Sequence, residues 1–302
     1  MDSRPISPAR LAGSVIAVPP LARDKQGKVS REENTRLVRH IEGGGVTTLL
    51  YGGNANFYHL RPSEYRSTLA LLSEIAAAET LVIPSAGPAY GISIDQAEIL
   101  REFAFPTAML LPHTGLNTFE GVEKGVRHFS ETYGKPVVLY IKQEGYITPE
   151  GAARLVRDGL ISWIKYAIVR PDPAHDAFLA ELVQKVDPKL IVSGIGEQPA
   201  IVHLRNFGCG GFTSGCVCVA PALSARMHAA IGRGDYAAAE AIREQFRPLE
   251  DLRNEINPIR VLHEAVALAG IAETGELQPL LSPISSTDRP RVASAAQTLR
   301  SA

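Results

Sequence analysis

The stretch "PVVLYIKQEGYITPEGAARLVRDGLISWIKY" (residues 136–166) decides the fold. It opens on a run of large apolar residues, passes through the amphipathic segment "TPEGAARLVRDG", and closes on a second apolar run, "ISWIKY". Neither run shows clean polar alternation, as expected of parallel strands buried on both faces. The unit reads strand–helix–strand. One residue disturbs it. Lys165 stands near the end of the second run, and a lysine is almost never fully buried without a partner or a purpose.

The same unit recurs on both sides. Candidate strands are "SVIAVP" (14–19), "VTTLLY" (46–51), "TLVIPSA" (80–86), "TAMLLP" (107–112), "PVVLYI" (136–141), "ISWIKY" (161–166), "KLIVSG" (189–194) and "GGFTSG" (210–215). One helical pattern follows each. The first, "SREENTRLVRHIEGG", starts with Ser30 as a cap and Glu33 three residues on, and stops at glycine. That is a capping box at one end and a glycine C-cap at the other. Such a repeat predicts a closed (β/α)8 TIM barrel. An open doubly wound sheet is the competing architecture, but no GxGxxG follows the first strand.

The chain continues beyond the eighth unit. Residues 235–271 read as two or three helices broken near Pro248 and Pro258, and a final helix, "RVASAAQTLRSA", ends the sequence. This tail is too small for a rich core of its own. The expected organisation is a barrel over residues 1–233 with a C-terminal helical region, 234–302, packed on it.

Composition narrows the function. The 302 residues are 45% hydrophobic and 21% charged, with a formal net charge of −1, so no broad basic surface awaits nucleic acid or anionic lipid. No apolar run reaches membrane-spanning length, and "MDSRPISPARLAG" lacks the apolar segment of a signal peptide. A cytoplasmic enzyme or binding protein is expected. Cys209, Cys216 and Cys218 lack zinc spacing and read as buried core thiols of a reducing compartment, so neither a metal nor a disulfide is expected.

In such barrels the chemistry sits at the C-terminal ends of the strands. These ends are "YGGNANFYHL" (51–60), "PHTGLN" (112–117), "LYIKQEGY" (139–146), Lys165, "SGIGEQ" (193–198) and "TSGC" (213–216). A lysine facing a mouth walled by Trp, Ile and Tyr is partly desolvated, which lowers its pKa toward neutrality and frees an amine to attack a carbonyl. The bland alternative is a Lys165 that snorkels to solvent or pairs with a carboxylate. Tyr140, on the neighbouring strand, suits a proton shuttle, or else closes the top of the barrel. The glycines of "YGGN" suit an anion-binding nest, or else make a plain turn. Thr213 joins the substrate-binding candidates from the eighth strand end.

Together these segments resemble the dihydrodipicolinate synthase / N-acetylneuraminate lyase family of Schiff-base, class I aldolase-type barrels. "GSVIAVPPL" is similar to the family's opening strand, "GGNANF" to its Gly-Thr-Thr-Gly-Glu loop, "VVLY" to the strand ending in tyrosine, and "WIKYA" to the segment with the imine lysine. "NPIRVLHEAV" is similar to the Asn-Pro-Ile-Pro-Val-Lys start of a C-terminal helix. The resemblance spans nearly the whole chain. It implies that Lys165 forms the imine, that Tyr140 shuttles protons, and that the N–H groups of Gly53 and Asn54 hold the carboxylate of a 2-keto acid such as pyruvate. It also implies a homo-oligomer, tetramer or dimer, that needs no metal or organic cofactor.

Departures from the family bear on the substrate. Its first loop threonine falls on Gly53, its second on Asn54 and its glutamate on Asn56. Its second strand-four tyrosine falls at Thr114, beside His113, and the aldehyde-binding arginine of true synthases falls near Gly145. A lysine-biosynthesis synthase is therefore not expected. Gly-Gly at the loop start and a basic residue two after the tyrosine resemble 5-dehydro-4-deoxyglucarate dehydratases. Lys142 then holds a distal group of a sugar acid, or is a solvated loop lysine. His113 is a second acid–base candidate, or a backbone-binding loop histidine. The expectation is a Schiff-base lyase, either a keto-deoxy sugar acid dehydratase or a pyruvate-type aldolase. The alternative is a catalytically silent keto-acid-binding barrel.

Overall fold

The apolar runs pair side by side, all in parallel, in a computed structural model that describes residues 1–302. Their ladder segments are Ile16–Ala17, Thr48–Leu50, Leu81–Ile83 with Ser85–Ala86, Met109–Leu110, Val137–Ile141, Ile161–Tyr166, Ile191–Ser193 and Gly211–Ser214. The first strand pairs with both the second and the eighth, which closes the ring. The third strand is split at Pro84: its first half pairs with the second strand and its second half with the fourth. Proline has no N–H for a ladder, yet the Pro84 carbonyl still accepts from Met109 N at 2.8 Å, so the barrel stays shut across the break.

Each strand is followed by a helix: Arg31–Gly43, Pro62–Ile75, Tyr90–Leu100, Phe119–Tyr133, Pro149–Arg157, Ala177–Lys185, Ala200–Asn206 and Pro221–Gly232. Several begin on a side-chain cap. Thr118, Thr148 and Asp176 each accept the N–H three residues on. Ser30 does the same for Glu33, but the reciprocal half of the expected capping box does not form. The Ser30 N–H goes to the Ala22 carbonyl, and the Glu33 carboxylate accepts from Glu273 N of the tail at 2.7 Å. A local motif has been reused as a tertiary contact.

The tail forms helices Tyr236–Glu255, Pro258–Leu268 and Asp288–Arg300. The expected break at Pro248 is corrected: the first of these runs straight through it. Proline removes one backbone bond, whereas Phe246, Leu249 and Leu252 are buried on either side and hold the helix in register. The break at Pro258 does occur. Asn257 is extended there (φ −178°), and its side chain accepts from both Ile259 N and Arg260 N, which starts the next helix with proline in its first turn. Phe246, Leu249, Val261, Val266 and Val292 of the tail share one continuous apolar cluster with the barrel strands, so the tail has no core of its own.

Candidate active site

Lys165 and Tyr140 are direct register partners on the sixth and fifth strands. Side chains in register on parallel neighbours share a face, and Trp163, two residues before Lys165, shares that face as well. Both Lys165 and Tyr140 line a cavity of about 220 Å³ over the barrel. The Lys165 ammonium lies 4.4 Å from the centre of the Tyr140 ring. Only 5% of Lys165 and 8% of Tyr140 is exposed. Burial, followed by the positive charges of Lys142 and Arg253, lowers the Lys165 pKa to about 7, and no carboxylate offsets it. Burial raises the Tyr140 phenol to about 12, opposed in part by Arg253. At neutral pH the amine is substantially free and the phenol keeps its proton.

Opposite them lies the loop after the second strand. The backbone folds back through Asn56, which takes the left-handed conformation (φ 56°) and donates its N–H to the Gly53 carbonyl at 2.9 Å. Asparagine tolerates that conformation better than most residues. The N–H groups of Gly53 and Asn54 make no hydrogen bond within the protein, as an anion nest requires. The Asn54 side chain is committed elsewhere, donating to the Val18 carbonyl at 2.9 Å. It therefore anchors the loop to the first strand and leaves the backbone to face the cavity. Tyr58 completes this wall, its phenol raised by burial and then by the nearby Tyr140 and Tyr146.

The other candidates divide. Lys142 lines the same cavity, its ammonium 5.9 Å from the centre of the Tyr58 ring, and Thr213 lines it from the eighth strand. His113 does not. It lines a separate groove with Tyr90, Leu116 and Tyr146, and its buried Nδ1 has no protein partner. Beyond the fourth strand the imidazole meets the groove beside Tyr90 and not the cavity of Lys165. All three cysteines are buried and unpaired, and no group of His, Cys, Asp or Glu is arranged to hold a metal ion. No helix is long and apolar enough to cross a membrane.

Sequence reasoning put the end of the seventh strand at the mouth but missed the wall that the tail adds to it. Arg253, Asn257 and Leu262 of the tail, with Gly194–Gly196 after the seventh strand, close the cavity. Behind Arg253 sit two carboxyls without solvent exposure, Glu197 and Glu250. Glu197 accepts from the hydroxyls of Ser214 and Ser224 at 2.7 Å each. Glu250 accepts the N–H groups of Glu197 and Gln198 at 2.9 Å each. Burial raises both carboxyls, and the adjacent Glu197 raises Glu250 further. Both carboxyls are thereby shifted toward their neutral forms. A signal was present in "EQFRPLEDLRNE": Glu250 and Arg253 stand three apart, flanking the apolar stripe that docks the helix.

The Dihydrodipicolinate synthetase family matches residues 12–299. The chain is 24% identical to a probable 5-dehydro-4-deoxyglucarate dehydratase of Streptomyces coelicolor, over 82% of this chain and 81% of that one. It is 29% identical to a 4-hydroxy-tetrahydrodipicolinate synthase of Pseudomonas aeruginosa, covering 90% of this chain and 94% of the other. Among solved structures it superposes on dihydrodipicolinate synthase from Bacillus clausii with a TM-score of 0.85, at 23% identity, covering 96% of this chain and 98% of that one. The sialic acid aldolase of Ruminococcus gnavus gives a TM-score of 0.82 at 16% identity, covering 95% and 97%.

Proposed function

The chain belongs to the dihydrodipicolinate synthetase family, and from that premise we propose that it is a lyase that captures a 2-keto acid as an imine on Lys165 and dehydrates a keto-deoxy sugar acid. One observation carries the reading: a buried lysine without a partner, its amine against the ring of Tyr140 on the next strand.

The steps follow from the two side chains. With the α-carboxylate on the N–H groups of Gly53 and Asn54, the neutral Lys165 amine attacks the C2 carbonyl to give a carbinolamine. Tyr140 donates its proton to the departing C2 hydroxyl, which leaves as water and yields the iminium. The resulting phenolate takes a proton from C3. Electrons flow toward the iminium nitrogen and form an enamine, the positive charge stabilising the carbanion as it develops. Tyr140, protonated again, donates to the C4 hydroxyl, and the enamine expels it as a second water. Hydrolysis of the imine releases product and restores Lys165. No organic cofactor or metal enters this scheme, because the iminium is the electron sink.

Dehydration is preferred over aldol cleavage because the chain is similar to a probable 5-dehydro-4-deoxyglucarate dehydratase, with Gly52 and Gly53 at the loop start and Lys142 two residues after Tyr140.

Borohydride reduction in the presence of pyruvate, read by mass spectrometry, is expected to add the reduced adduct at Lys165. Unmodified Lys165 at saturating keto acid would overturn the reading. Incubation with keto-deoxy acids is expected to release a dehydrated product. An imine without turnover on any of them would leave a silent binder instead.

A further inference from the structure

The amine of Lys165 meets the ring of Tyr140, and no carboxylate holds it in place. A lysine side chain is among the most flexible, so something other than a polar partner must fix its direction. The backbone does so. Gly194, directly after the seventh strand, lies against the lysine stem: a Cβ there would stand 3.0 Å from Lys165 Cγ, 2.8 Å from Ala167 Cβ and 2.7 Å from the Tyr166 carbonyl oxygen. Its φ is outside the left-handed region, so glycine serves here for space and not for conformation. The Gly194 N–H donates to that same Tyr166 carbonyl at 2.6 Å. Bare main chain therefore walls the stem at closer range than a side chain would permit.

Past Gly194 the loop bonds back to the barrel through Gly196 N, which donates to the Thr213 carbonyl at 3.1 Å. Much of the remaining hold comes from the tail helix Tyr236–Glu255. Arg253 Nη2 donates to the Ile195 carbonyl at 2.6 Å. Glu250 accepts from Glu197 N and Gln198 N at 2.9 Å each, and Gln198 Nε2 donates to Asp251 Oδ1 at 2.7 Å. Gly196, with φ +106°, is a second bare position, where a Cβ would stand 1.9 Å from Glu250 Oε1. One short loop thus gives up a side chain twice, first to Lys165 and then to Glu250. Burying the Glu250 carboxyl is costly, but an apolar residue there would leave two N–H groups without an acceptor. Accurate placement of a reacting group justifies that cost, since a misplacement of about 1 Å can slow a reaction by about 10²-fold.

We infer that Glu250 is a positioning residue for Lys165: together with Arg253 it clamps the 194–198 loop against the lysine stem and so aims the amine into the cavity. This rests on the imine reading for what the amine then does. Its new content is that a carboxyl of the C-terminal region, which touches no reacting atom, governs how fast Lys165 reacts.

The test measures borohydride trapping of pyruvate at Lys165, both as a rate at saturation and as the concentration giving half that rate. Glu250→Gln, which keeps one acceptor oxygen, is expected to slow the saturating rate by about 10- to 100-fold. The half-saturating concentration is expected to stay within about threefold, because the N–H groups of Gly53 and Asn54 belong to another loop. Gly194→Ala, which crowds the stem while every tail residue is kept, is expected to slow the rate at least as much. Val292→Ala, which loosens the packing of the last helix instead, is expected to lower stability yet keep the rate within about twofold. Parental saturating rates in folded Glu250→Gln and Gly194→Ala would overturn the inference. So would a rise in half-saturating concentration alone, or an equal loss in Val292→Ala, which would make Glu250 a general brace. Absence of trapping in the parent protein would instead defeat the imine reading. Acetylation of Lys165 by acetic anhydride at pH 7, read by mass spectrometry, would then still decide the clamp: a change in rate of about threefold or more in both variants supports it, and equal rates overturn it.

Discussion

Lys165 at the end of the sixth strand and the Glu197–Glu250 pair behind the seventh are both cut off from water, and their surroundings are opposite. The carboxyls accept from two serine hydroxyls and two backbone N–H groups and lie beside a guanidinium. The lysine has an aromatic ring and two like charges for neighbours. Burial with full hydrogen bonding makes a rigid frame, whereas burial without a partner makes a reactive group. The frame helps the reactive group, since it fixes Arg253, whose charge helps to keep the Lys165 amine free.

The contrast extends to stability. Lys165 falls from 10.5 to about 7 on folding. Between those values the unfolded chain binds a proton that the folded chain does not, so this residue makes stability rise with pH across the window. Its full cost is present at and below pH 7, on the order of 4 kcal/mol. The carboxyl pair runs the other way. Raised in the fold, it loses stabilisation as pH climbs from the ordinary glutamate value through the folded one.

The strongest way to break the comparison is to remove the reactive member. Lys165→Ala is expected to lower turnover by about 10⁴-fold or more, and Lys165→Met to unfold at higher urea than the parent at pH 7, by up to about 4 kcal/mol. A Lys165→Met protein that is less stable would mean that the lysine has a partner. Next, Tyr140→Phe is expected to cut kcat by about 10²–10⁴-fold while still yielding a pyruvate adduct on prolonged trapping. Faster turnover than that in stopped-flow assays would move the shuttle to another group, Tyr58 being the other phenol that lines the cavity. The frame is tested by Glu250→Ala, which strands the buried N–H of Glu197 and the partly buried N–H of Gln198 and is expected to cost about 2–4 kcal/mol in urea titration, with Glu250→Gln well below that. The smallest effect sharpens the link between the two centres. Imine formation is expected to fall about tenfold per pH unit below 7 and to level off above it, with the inflection moving upward in Arg253→Met.

Much of the barrel was legible because its signals are local. Apolar runs, caps and glycine stops each lie within one strand or helix, and Lys165 and Tyr140 are visible as polar residues ending otherwise apolar runs. The loop that carries the unpaired N–H groups of Gly53 and Asn54 was legible for the same reason, its glycines being neighbours in the chain. His113 shows the limit. Its position at a strand end suggested the mouth, but which groove its side chain enters depends on the helix it meets. Pro248 shows another. Its local preference to break a helix loses to the apolar contacts of Phe246 and Leu249 with the rest of the core.

The chain's own periodicity thus sufficed for eight strand–helix repeats and an unusual lysine at the end of the sixth strand, since these depend on spacings of two and 3.6 residues. The cavity wall supplied by the tail depends on contacts that no spacing encodes. Glu250 reaches Glu197 across 53 positions, and Gly196 must lack a side chain because of a helix that is synthesised later. Which charges surround the free amine, and so what it will accept, emerges only when the tail docks and burial sets the strength of each interaction.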